Sequence, residues 1–182
     1  MQTTKALTKN RIDAKAIALT AMFAALVTAA TAFIKIPAPL GYAHAGDARV
    51  FLGACVLPGP LGFLAAAIGG ALADLLSGYA VWALPTAIIK ALNVLPFFLA
   101  RIILRKNHKD SKILSPAVLF AAVLSMAITV GGYYVADALL YDAAASLAEV
   151  PFNIMQALVG SVLFTALGLA LDAVKLKQRL MK

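Results

Sequence analysis

With 182 residues, 63% apolar and only 13% charged, the chain carries about half the share of charged residues found in a soluble domain. Apolar runs of 18 residues or more mark membrane spans, so the composition excludes a soluble globular fold and implies one integral membrane domain over residues 1–182. The net charge of +8 would suit nucleic acid, but its distribution argues against that partner.

Lys5, Lys9, Arg11 and Lys15 precede the first apolar run, and Arg101, Arg105, Lys106, Lys109 and Lys112 surround one loop. Lys175, Lys177, Arg179 and Lys182 form the tail, so thirteen of the sixteen basic residues sit at span ends. Such clusters follow the positive-inside pattern and place all three in the cytoplasm. The single cysteine, Cys55, lies in an apolar run. It allows no disulfide within the chain, implies no metal cluster and reads as a small core residue.

Residues 1–15 read as a frayed or interfacial helix start. The first span covers about 16–34; its apolar run exceeds the core of a secretory signal, so a retained helix is expected. Ala14, Ala18, Ala21, Ala25 and Ala29 recur at spacings of 4, 3, 4 and 4. At 100° per residue they share an arc of about 80°. This small-residue ridge admits close approach of another helix, from this chain or from a partner.

Residues 35–47 form an external loop in which two prolines and two glycines forbid a regular helix. Tyr42 and His44 are its polar aromatic tips, and over an outward pocket such a loop would act as a lid. Asp47 is placed to cap the second span, about 48–57, through its carboxylate. Arg49 is placed to pair with Asp47 or to meet a substrate anion. Pro58-Gly59-Pro60 is an inner turn before the third span, about 61–76.

The rest of the chain is organised around Gly69 to Lys90. Ser77-Gly78 makes the reversal between two spans, since glycine takes the positive φ that a turn needs. Tyr79 and Trp82 suit a membrane interface. Asp74 lies about 7 Å below this turn and Lys90 about 12 Å below it, at 1.5 Å per helical residue. Charges at that depth must face the protein interior or a wet cavity. Two arrangements satisfy them: an ion pair joining two helices, or a polar pocket that both line.

The fourth span runs over about 80–104, with Pro85 and Pro96 as expected bends and Asn93 as a polar group. The loop 105–114 is cytoplasmic, and His108 within it reads as solvated. Ser115-Pro116 opens the fifth span, about 115–140, as an N-cap followed by proline at the first helical position. Gly131-Gly132 can bend it, and Tyr133 and Asp137 share one face. In the outer loop 141–150, Ser146 and Glu149 have capping-box spacing. Pro151 favours a sixth span starting near that residue, about 151–174. Asn153, Gln156 and Gly160 then share a face, where amides can bind a polar heterocycle or tie helices together.

The expected architecture is all-α: six transmembrane helices with both termini cytoplasmic. Asp74, Trp82, Lys90, Tyr133, Asp137, Asn153 and Gln156 gather in the outer halves of spans 3 to 6, around one outward pocket. No phosphate loop, HExxH, GxSxG or Cys/His cluster occurs, so no catalytic residue or metal site is assigned. Active transport would draw on an ion gradient or another subunit.

Three stretches carry a family resemblance. They are Ala45-Gly46-Asp47-Ala48, Ala73-Asp74-Leu75-Leu76-Ser77-Gly78-Tyr79 and Pro151-Phe152-Asn153-Ile154-Met155-Gln156. With the length, the six spans and the alanine ridge, the chain resembles the substrate-binding S components of energy-coupling factor (ECF) vitamin transporters. The branch is the riboflavin type, which also contains hydroxymethylpyrimidine and pyridoxine carriers.

The resemblance implies a multi-pass protein of the bacterial cell membrane that captures a vitamin outside, under its first external loop. It implies partners: a membrane coupling (T) subunit and two ABC-type ATPases, which use ATP while this chain binds no cofactor. It also implies that an alanine-xxx-alanine motif on the first helix docks the coupling subunit; Ala14/Ala18 and Ala21/Ala25 both fit. The scarcity of aromatic residues around the pocket favours a small pyrimidine or pyridine, hydroxymethylpyrimidine or a pyridoxine-like vitamin, over riboflavin. The alternative from another class is a solitary ion-coupled carrier with Asp74 and Lys90 as the relay.

Overall fold

The computed structural model describes residues 14–107 and 109–180. Lys5, Lys9, Arg11, His108 and Lys182, on which part of the charge and loop reading rests, lie outside the described residues. The elements run α1 (Ala14–Phe33), β1 (Lys35–Ala38), β2 (Gly41–His44), α2 (Asp47–Val56), α3 (Leu61–Leu76), α4 (Ala83–Lys106), α5 (Pro116–Leu140), α6 (Ala143–Ala173) and α7 (Leu176–Leu180). A single 3-10 turn, Ala80–Trp82, leads into α4.

Among the described residues four helices are long and apolar enough to cross a membrane: α1 with 20 residues, α4 with its leading turn at 27, α5 at 25 and α6 at 31. Their outer faces expose Ile17, Leu84, Ile88, Leu92, Phe120, Leu139 and Val162, as lipid contact requires and as water would penalise. The α3 helix is apolar but has 16 residues, about 24 Å at 1.5 Å per residue. The α2 helix, with 10 residues, extends only about 15 Å, half a hydrocarbon core.

The shortness of α2 suits its place. Almost every side chain on it is buried, from Asp47 through Val50, Phe51 and Leu52 to Cys55 and Val56. It packs against α1, α3, α4 and α6, so it is a plug inside the bundle. Phe51 meets Phe97 of α4 and Phe164 of α6, with ring centroids 4.9 and 5.7 Å away. Its C-terminal end is held by Arg101 of α4, whose Nη1 donates to the carbonyls of Ala54 (2.8 Å) and Leu57 (2.7 Å). A cation on a helix C-terminus satisfies orphan carbonyls and the helix dipole together.

Arg101 belongs to an ionic knot at that end of the bundle. Asp110 accepts from Arg105 at 2.9 Å, from Arg101 at 3.5 Å and from Lys177 of α7. Burial opposes ionisation of Asp110, yet the hydrogen bonds from Lys177 and Arg105 outweigh it and hold the carboxyl below the usual range. Asp172 accepts the Ile113 and Leu114 amides at 2.6 and 2.9 Å, tying the loop before α5 to the end of α6. Ser115 caps α5 as expected, accepting Val118 N–H. The basic clusters thus include structural ties as well as surface charge.

At the other end, Gly78 has φ of 82° and Tyr79 N–H returns to the Asp74 carbonyl at 2.9 Å. This closes α3 with the left-handed glycine that the turn required.

Five expectations change in the structure. The loop after α1 is a β-hairpin, pairing Lys35 with His44 and Ala38 with Gly41, so the all-α reading omits two strands. The sixth helix begins at Ala143, not near Pro151. Asp142 caps it by accepting Ala145 N–H at 2.8 Å, and Pro151 is accommodated inside it. Ser146 Oγ donates to the Asp142 carbonyl, so Ser146 and Glu149 form no capping box. Asp47 does not cap α2, and Arg49 turns back to the Ala45 carbonyl at 3.1 Å.

Candidate functional site

Beneath the hairpin lies a cavity of about 30 Å³, room for a water or two. Eight of the nine residues predicted for a substrate site line it. Tyr42 and His44 come down from β2, and Asp74 comes from the last turn of α3. Trp82 stands at the start of α4, Tyr133 and Asp137 lie on α5, and Asn153 and Gln156 lie on α6. The cavity also meets Leu40, Gly41, Thr86 and Glu149.

Lys90 is the ninth residue, and it is placed differently. It is fully buried and its ammonium pairs with Asp47 of α2, itself fully buried. The Asp74–Lys90 pair, one of the two arrangements expected, does not form; Asp74 accepts the Tyr42 hydroxyl instead. The cause is register. Lys90 lies level with Gly70, one turn below Asp74 on α3; a Cβ on Gly70 would stand 3.1 Å from Lys90 Cγ. From there the ammonium reaches α2.

The Asp47–Lys90 pair forms the floor of the site. Gln156 Nε2 donates to Asp47 Oδ2 at 3.3 Å, and Gln156 Oε1 accepts His44 N–H at 3.2 Å. Gln156 therefore stitches floor to roof. Gly160, one turn further along α6, makes this possible: a Cβ there would lie 2.7 Å from Asp47 Cβ. Gly160→Ala should push α6 off α2 and cost about 1–3 kcal/mol, as overpacking does. A lowered thermal midpoint in detergent would record it.

The roof is fixed by polar contacts from below. Trp82 Nε1 donates to the Leu40 carbonyl at 3.2 Å, and Leu40 N–H donates to Glu149. Tyr133 hydroxyl meets Thr86 Oγ1 at 3.3 Å. Burial, the hydrogen bond to Asp74 and the charge of Asp74 raise the Tyr42 phenol well above its usual range. Asn153 differs from its neighbours. Its Nδ2 is buried with no hydrogen-bond partner among the described residues, an exception at the cavity wall, since buried polar groups are nearly always paired.

His44 carries a pH dependence. Its burial and the Lys90 ammonium push its pKa down to about 3, against about 6.5 when unfolded. Gly46 N–H donates to Nδ1 at 3.1 Å, so the neutral ring carries its proton on Nε2. As pH falls below about 6.5 the unfolded chain binds the proton first, and folded stability declines. The loss reaches about 2 kcal/mol at pH 5. Thermal midpoints should fall from pH 7 to 5, and fall less in His44→Gln.

Sequence reasoning missed Glu149 and Thr86 at the cavity and Asp47 as the partner of Lys90. Glu149 stands four residues before Asn153, on the same face once α6 is continuous through Pro151. Starting that helix at the proline hid it. Thr86 stands four before Lys90 on α4 and was legible by the same rule.

A bundle of apolar helices around a polar cavity roofed by a hairpin is the architecture of a multi-pass membrane protein. Residues 11–173 match the family model described as "ECF-type riboflavin transporter, S component". The chain belongs to this family of transport subunits. It is also 35% identical over 145 residues, covering 78% of this chain and 91% of the relative, to a Pyrococcus woesei protein described as "Uncharacterized protein in gap 3'region". As an S component the chain is a substrate-binding transport subunit, in a family that works with T and ATPase subunits.

Proposed function

We propose that the cavity under the hairpin captures a small water-soluble vitamin or precursor for import, with hydroxymethylpyrimidine or a pyridoxine-like vitamin preferred to riboflavin. One observation carries this reading: polar side chains from the hairpin, α3, the start of α4, α5 and α6 converge on that cavity. At about 30 Å³ it admits a vitamin ring only when the hairpin lifts, so the hairpin is both lid and wall. Asn153 is the direct contact, while Gln156 and the Asp47–Lys90 pair hold the wall in place. The six-span topology is kept, with α2 and α3 as short crossings and both termini cytoplasmic.

The membrane is that of a bacterial cell. The partners are one coupling subunit and two ABC-type ATPases, which hydrolyse ATP on behalf of a chain that binds no cofactor of its own. The carrier alternative, with Asp74 and Lys90 as a relay, loses support because each charge already has another partner.

A screen of purified protein against water-soluble vitamins tests the reading, together with Asn153→Ala. An unpaired polar group on a buried ligand costs about 1–3 kcal/mol, so that variant should bind the preferred vitamin roughly tenfold or more weakly. Unchanged affinity in a folded Asn153→Ala protein would place the site elsewhere.

A further inference from the structure

Among the described residues three carboxyl groups line the cavity, Asp74, Asp137 and Glu149, and no lysine or arginine does. Two of the three have partners: Asp74 takes the Tyr42 hydroxyl on Oδ1, its buried Oδ2 having no hydrogen bond among the described residues, and Glu149 takes Leu40 N–H. Lys35 stands over the Tyr42 ring at 4.6 Å, on the Asp74 side of the site. Lys90, 5.1 Å from the Tyr133 ring centroid, is already committed to Asp47.

Asp137 is the group left over. It is 2% exposed, and among the described residues no hydrogen-bond donor meets its carboxyl group. Glu149, a second carboxyl group, lines the same cavity. A buried carboxylate without a cation or donor is costly, and a second one nearby adds repulsion.

Two independent features mark what belongs beside it. Trp82 and Tyr133, with ring centroids 6.0 Å apart, both line the cavity, and aromatic walls hold cations. Asn153, 8% exposed, has a buried Nδ2 donor with no partner in the same cavity.

We infer that the solute bound here is a small nitrogen heterocycle carrying a positive charge, which lies against Asp137 beside Trp82 and Tyr133 and offers a hydroxyl or ring-nitrogen acceptor to Asn153. The charge sits on an ammonium substituent, a protonated ring or a quaternary ring nitrogen. The inference rests on the vitamin-binding reading above and narrows it: neutral flavins and carboxylate-bearing vitamins are the wrong class for this site.

Trp82 is the only tryptophan in the chain, so its fluorescence reports on the cavity directly. Titration of the purified protein, followed by Trp82 fluorescence and by calorimetry, compares three ligands with one ring and different charge. These are pyridoxamine with its ammonium, pyridoxine with a hydroxyl and 4-pyridoxate with a carboxylate. Thiamine and riboflavin extend the series to a quaternary cation and a neutral flavin. Pyridoxamine should bind at least tenfold more tightly than pyridoxine, with 4-pyridoxate weakest, and thiamine should exceed riboflavin.

Asp137→Asn should bring the pyridoxamine-to-pyridoxine ratio close to one, chiefly by weakening pyridoxamine. Glu149→Gln, which keeps an acceptor for Leu40 N–H, should reduce the ratio in the same direction and serves if the first variant does not fold. Tightest binding of riboflavin or pyridoxine would overturn the cation inference and leave vitamin capture standing, as would a ratio unchanged in a folded variant. Absence of binding by any vitamin in the screen would overturn both.

Discussion

Lys90→Met should destabilise the protein by about 3–5 kcal/mol, because it leaves the fully buried Asp47 carboxylate without its cation. The effect is large because, among the described residues, Lys90 is the one cation in an ion pair with Asp47. The remaining side-chain partner of Asp47 is the Gln156 amide at 3.3 Å. The methionine fills the stem volume, so packing is conserved and charge alone is removed. Asp47→Asn combined with Lys90→Met should recover most of the loss, since the asparagine oxygen still accepts from Gln156. Asp74→Asn with Lys90→Met should not, as Asp74 belongs to Tyr42. Thermal midpoints of the three proteins in detergent decide between the two pairings.

Ala18→Trp or Ala25→Trp should abolish assembly with the coupling subunit while leaving vitamin affinity of the isolated protein within about twofold. The alanine ridge faces outward: Ala14, Ala18, Ala21, Ala25 and Ala29 are all exposed. The opposite face of α1, with Phe23, Ala24, Val27, Ala30 and Thr31, is buried in this chain. A small-residue ridge left open to the membrane is a surface for a close helix partner, and an indole ring there holds two backbones apart. Co-purification of the other subunits with each variant measures it. Full assembly with both variants would make the ridge a lipid-facing surface and nothing more.

Much of this fold was legible because periodic apolar runs are long and turns have chemical markers. Ser77-Gly78 and Ser115-Pro116 closed and opened helices as read, and the polar residues of four segments, Lys90 apart, line one cavity. What failed were choices that tertiary packing makes. The α2 helix is short, and Asp47 at its start was read as a local cap. The carboxylate is fully buried and turns to the Lys90 ammonium, since a buried charge left unpaired costs several kcal/mol and a missing cap costs about 1 kcal/mol. Pro151 was read as a helix start, because proline favours the first turn. Asp142 caps the helix earlier, and the proline is carried within it. The hairpin escaped notice because four-residue strands containing proline leave no clear alternation. Asp74 and Lys90 are similar in depth along the chain, but depth does not fix which side of a helix faces which neighbour.

The central claim is that this chain captures a solute and depends on others for the energy of import. Reconstitution in liposomes tests it most directly, with radiolabelled vitamin outside and the chain either alone or joined to its coupling and ATPase subunits. The vitamin should accumulate only with the full set of subunits and ATP, whatever sodium or proton gradient is imposed. Accumulation by the chain alone, driven by an ion gradient, would contradict the account and make it a solitary carrier.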